Sequence, residues 1–229
     1  MRPEPSLDGV QAKVGRAREQ FESLSEEVCA FLGGEACDGF VEFDPETRWR
    51  IREAQVSKRP PSMRWGTIVG EIAYHLRSAL DQLVWELVRL NEQVPGAHNE
   101  FPIAIDPGWY AKRGPGKLKG LAGGDREIIE RAQPYHLGNA APEHPLALLD
   151  WMAQVDKHRF VHTTVPRIGG RVLEGLDPEG TDVSFAPFDI GLDEGRSLNQ
   201  VVGQAGPYVD ALLRRFDSRF AAGQAGCVA

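Results

Sequence analysis

The chain has 229 residues, 41% of them hydrophobic and 26% charged, and a net charge of −7. This is an ordinary globular balance, long enough to bury a real core, and it excludes a broadly basic nucleic-acid surface while leaving room for a local basic patch. No run approaches the roughly 20 apolar residues of a membrane span, and the polar, Pro-rich start MRPEPSLDG lacks the pattern of a signal peptide.

The first helix is predicted over about Leu7 to Leu32, because Val10, Val14, Ala17, Phe21, Leu24, Val28 and Phe31 recur at helical spacing. Gly33-Gly34 ends it. Residues 40–56, FVEFDPETRWRIREAQV, read as a β-hairpin: apolar residues near alternation flank a turn-like Asp-Pro-Glu-Thr. Pro60-Pro61 follows, and Ser62 is the predicted N-cap of a long helix from about Met63 to Gln93. A Gly/Pro-rich stretch then reads as a long ordered loop with a short helix near Trp109. Asp125 caps a further short helix, stopped by Gln133-Pro134-Tyr135. A fourth long helix is predicted from Pro145 through LALLDWMAQVDKHRFVHT, then extended pieces around 163–174 and 182–190, and a last helix from about Ser197 to Phe220. The sum is one domain over residues 1–229 with flexible tails at 1–6 and 221–229. Its class is mainly α: a bundle of four main helices with a β-hairpin and a few short accessory strands. Cys29, Cys37 and Cys227 form no CxxC pair and fit a reducing, cytoplasmic setting without structural disulfides, Cys29 being packed.

Charges inside the apolar arcs are the main functional signal. With 100° per residue and Leu76 at zero, Arg77 and Asp81 fall near 100° and 140°, among Val84, Val88, Trp85 and Tyr74. Glu71, His75, Ser78, Gln82 and Arg89 make the opposite, solvated face. On the fourth helix Arg159 lies on the stripe of Leu148, Met152 and Val155, Asp156 flanks it, and His158 and His162 are at or near the inner side. If these helices pack together, Arg77 meets Asp156 and Asp81 meets Arg159. Single buried charges are costly, so the cluster is either a paired network that sets helix register or a polar site between helices.

Other chemistries find less. His158 and His162 are four apart, but HRFVH lacks the carboxylate of a zinc HExxH helix. The ExxH pairs of di-iron bundles, a GxSxG elbow and a GxxxxGK[ST] loop are missing as well, so no metal or cofactor is expected. The basic run from Lys112 to Lys119 beside Trp109 and Tyr110 reads as a solvated loop, or as a place to touch RNA phosphates and stack a base.

HLRSALDQLVWEL (His75 to Leu87), Phe101-Pro102-Ile103, Gln133-Pro134-Tyr135 and DKHR (Asp156 to Arg159) occur in this order. In these motifs the chain resembles a widespread, largely uncharacterised family of bacterial and phage proteins, whose members read close to HNLRSALDHLxWxL, FPI, QPY and DKHR. The resemblance spans about residues 40–160 and brings no established function. A looser analogy is to HEPN-type helical RNases of toxin and phage-defence systems, which use an Arg followed four to six residues later by His. RSALDH has that spacing, whereas here position 82 is Gln82, so an imidazole would have to come from His158 or His162. The candidate site is Arg77, Asp81, Asp156, His158 and Arg159: histidine moving a proton, arginine stabilising phosphorane charge, aspartate orienting. Two readings stand: a non-enzymatic binding or interaction protein with a buried Arg/Asp cluster, and a metal-independent HEPN-like RNase. RNA or a partner protein is the expected partner, with no membrane, and the wide apolar arcs of the long helices suggest a homodimer.

Overall fold

The computed structural model describes residues 4–33, 37–43, 50–56, 61–158, 161, 164–167, 172–174, 189–192 and 196–225, with side chains outside the described set over 32–60, 162–190 and 222–225. The chain is mainly helical. Helix α1 is Asp8–Gly33 and α2 is Ser62–Leu90. The shorter α3, Pro107–Lys117, and α4, Gly123–Arg131, lead through a 3-10 segment, Pro134–Glu143, to α5, Pro145–His158. A π turn, Asn199–Gly203, precedes α6, Gln204–Arg214, and α7 is Asp217–Ala225.

Helix α2 is the axis of the core: Val69, Ile72, Leu76, Leu80, Leu83, Val84, Leu87 and Val88 are each almost fully buried. It packs against α1, α5 and α6. Leu24 of α1, Met152 of α5, Val209 of α6 and Phe216 complete one apolar cluster with it. Two Asn side chains order the Gly/Pro-rich stretch after α2. Asn91 donates to the Gly120 carbonyl at 2.9 Å, and Asn99 donates to Lys117 and Lys119 at 3.0 and 2.9 Å. Gly120 has φ +93°, a conformation that a Cβ would strain. Among the described residues no helix is long and apolar enough to cross a membrane.

In the segments described by backbone alone, β1 (Cys37–Phe43) pairs antiparallel with β2 (Arg50–Val56), Cys37 opposite Val56. β2 also pairs with β4 (Val172–Glu174), and β3 (Thr164–Arg167) with β5 (Asp189–Gly191). The residues joining β1 to β2, 44–49, lie outside the described residues.

Several expectations are corrected. The last helix is two helices, broken at Arg215-Phe216 where the backbone turns. Its second half continues to Ala225, through residues expected to form a tail. Helix α5 is described as far as His158, and Val161, which the prediction placed inside the helix, lies outside it. Pro61, not Ser62, is the N-cap residue of α2, and Ala122, not Asp125, that of α4. Asp125 is instead buried and takes two bonds from Arg219 of α7, at 3.1 and 3.2 Å. Cys29 is exposed rather than packed. The face of α2 read as solvated carries α1: Lys13 donates to Ser78 at 2.8 Å, Gln20 bonds Glu71, and Gln82 lies against Gly9. Tyr74 and Trp85, read as inward, are exposed, because the arc between the α1 and α5 contacts is the one left open.

Candidate functional site

Arg77 and Asp81 are one helical turn apart on α2, so their side chains meet: Arg77 Nη1 donates to Asp81 Oδ1 at 2.6 Å. What they hold is a piece of backbone. Arg77 Nη2 donates to the Phe101 carbonyl at 2.9 Å, and the Phe101 N–H donates to Asp81 Oδ1 at 2.9 Å. Phe101 is fully buried, so both its peptide groups need partners, and the charged pair supplies them. The Arg77 Nε lies 3.4 Å from Asp150 of α5. The Arg77 side chain is 17% exposed, against 37% for Asp81 and 35% for Asp150.

The next residues of the same extended segment are held from the other side by Gln133. Its Nε2 donates to the Pro102 and Ile129 carbonyls at 2.8 and 3.0 Å, and its Oε1 accepts the Ala104 N–H at 3.0 Å. The Tyr135 N–H donates to the Ala104 carbonyl at 3.1 Å. The motifs LRSALD, FPI and QPY therefore form one hydrogen-bonded unit. Lys117 pairs with Glu100 at its rim and sits 5.5 Å from the centre of the Trp109 ring. The basic run is thus partly helix α3 and not a solvated loop, and Asp106 caps that helix by accepting the Trp109 N–H at 2.6 Å.

Burial raises the Asp81 carboxyl above its ordinary value, opposed by the Arg77 charge and the Phe101 N–H. Burial likewise raises Asp150, opposed by Arg77 and then by Lys117. Asp156 is also raised, by burial first and by Glu71 second.

The predicted pairing across the two helices is corrected. Arg77 meets Asp150, not Asp156, and Asp156 lies against Gly70, where an added Cβ would come within 2.0 Å of its Oδ1. These two contacts run in opposite directions along the helices, so α2 and α5 are antiparallel. His158 is exposed, eight residues beyond Asp150 and so about 12 Å along the helix axis. The structure brings Arg77 and Asp81 together and does not bring His158 to them. Arg159 and His162, and with them the predicted Asp81–Arg159 contact, lie outside the described residues.

The sequence reading missed Asp150, Gln133 and the Phe101 backbone. Asp150 sits within about 40° of Leu146 on the helical wheel, a signal for a charge at the edge of the buried face. The Phe101 role had none, because a peptide group carries no residue signature. Among the described residues no three His, Cys, Asp or Glu side chains are grouped to hold a metal ion.

A second polar device lies at the start of α5. His144, buried, accepts the Leu146 N–H on Nδ1 at 3.1 Å and meets the Tyr208 ring edge-on at 4.8 Å. Burial lowers its pKa, which keeps the acceptor nitrogen unprotonated.

Comparison with family models, with curated proteins and with solved structures finds no match to the chain.

Proposed function

We propose that the protein is a non-enzymatic helical binding protein in which Arg77 and Asp81 are architecture. The observation that carries this is the occupancy of the guanidinium: its nitrogens face Asp81, the Phe101 carbonyl and Asp150. Each of the three guanidinium nitrogens is thus engaged by the fold itself, and the RNase alternative also needs an imidazole that His158 does not bring near. The proposed setting is cytoplasmic. β1 and β2 are proposed to be the two arms of a hairpin, and the protein is proposed to self-associate through α2.

The test is incubation of tRNA and an unstructured RNA with the protein in EDTA, beside Arg77→Ala and His158→Ala. The expected result is intact RNA with all three, and an Arg77→Ala protein about 2 kcal/mol less stable, because two carboxylates and a buried carbonyl lose their donor. For a chain of this size that lowers Tm by about 4–8 °C. Cleavage by the wild type that folded Arg77→Ala and His158→Ala both lose would establish the RNase instead.

A further inference from the structure

We infer that the cleft between α1, α2 and α6 binds a small organic carboxylate with an apolar body of about two rings, which rests on the proposal above that the chain is a binding protein. The cavity measures about 270 Å³. A cavity of about 150 Å³ lined by aliphatic groups stays dry and takes up benzene, so nearly twice that volume suits two fused rings. The walls have the required chemistry: Val14 and Ala17 of α1, Ile72 and Leu76 of α2, and Val202 and Gly206 on the α6 side.

The sequence keeps this space open at a cost. Gly203, Gly206 and Pro207 are the poorest helix formers, yet all three line the cavity where α6 begins. An added Cβ at Gly206 meets no atom within 4 Å, so no close packing of the helices requires a glycine there. The π turn Asn199–Gly203 contributes Val202 and Gly203 to the same wall, and such turns recur at functional sites. An apolar occupant gains free energy by removing these walls from water.

The mouth supplies the charge. Arg214 holds Asp210 at 2.5 Å, whereas Arg18 reaches the other oxygen of that carboxylate only at 3.6 Å. Two guanidinium groups thus share one carboxylate at the rim, and the mostly exposed Arg18 is the looser partner. A ligand carboxylate completes its coordination with a charge-assisted bond. The adjoining polar part of the groove shares Val14, Arg18 and Asp210 and is lined further on by Arg214 and Asp217, so Arg18 is the cation that also lines the apolar cavity.

The experiment is calorimetric titration of the full chain with 2-naphthoate and with its neutral analogue 2-naphthamide. Wild type is expected to bind naphthoate roughly tenfold more tightly than the amide. Arg18→Gln, on the exposed rim, is expected to lose that preference while still taking the amide. Gly206→Leu is expected to fill the cavity and bind neither, with a melting temperature at or above that of wild type. No heat from wild type at millimolar naphthoate, or binding undiminished in folded Gly206→Leu, overturns the inference. RNA cleavage by the same preparation would overturn the non-enzymatic reading and leave the naphthoate result to stand by itself, so the two failures are told apart.

Discussion

Arg77 and Asp81 look out of place in a helix whose neighbours are Leu, Val and Ala, and the reason is the chain that comes back over them. A buried extended segment cannot leave its peptide groups unpaired. One Arg and one Asp, a turn apart, present a donor and an acceptor that match the carbonyl and the N–H of a single residue, Phe101. The two aspartates near Arg77 are not equivalent. Asp81 accepts two hydrogen bonds, while Asp150 has the 3.4 Å contact to Nε. Asp81→Ala is expected to cost about 1–2 kcal/mol, at the lower end for a lost acceptor because the carboxylate is partly solvated. Asp150→Asn is expected to lie within about 0.5 kcal/mol of wild type at pH 7 by urea unfolding. The sign follows from the raised Asp150 pKa. Its contribution is fully present below the unfolded value of 3.8 and is lost as pH rises through the folded value, so at pH 7 the neutral amide forgoes little.

At the scale of elements, helix α5 is fixed at its N-terminus as well as along its buried stripe. His144 caps its N-terminus through Nδ1, and the edge-on Tyr208 ring ties that cap to α6. The folded pKa of His144 is lowered, so its contribution is complete above the unfolded value of 6.5 and is lost as pH falls from there through the folded value. His144→Ala is expected to cost about 1 kcal/mol at pH 7.5. His144→Asn is expected to keep the cap and flatten the loss of Tm between pH 7 and 5. Part of the slope persists, because burial lowers His75 as well. The helices themselves were legible: α1 and α2 follow their apolar periodicity to within a few residues. The break at Arg215-Phe216 was not, since Val209, Leu212, Leu213 and Phe216 keep one period across it, and the turn shows only in the backbone, where the Arg215 and Phe216 N–H groups bond three residues back. The polar face of α2 misled for a related reason: Ser78, Gln82 and Glu71 look solvated, yet they pair with an equally polar face of α1.

For the whole molecule, the unpaired surface of α2 is the feature with an assembly consequence. Met63, Tyr74 and Trp85 are 69%, 61% and 42% exposed. They recur every 11 residues, a spacing that returns to the same helix face with about 20° of drift. A second copy of that stripe would cover them, and light scattering after size exclusion is expected to give a dimer that Tyr74→Lys/Trp85→Lys turns into a monomer. A monomeric wild type at 100 µM would count against it. The central unit of the fold was half legible. The charged pair, FPI and QPY stood out as sequence, but their union around residues 101–104 runs through main-chain atoms, which no residue type announces. The most direct test is native-state hydrogen exchange of the Phe101 amide in wild type and Asp81→Ala. Strong protection is expected in wild type and at least roughly tenfold faster exchange in the variant, with α1 and α6 amides unchanged. Equal protection of the Phe101 amide in both proteins would contradict it.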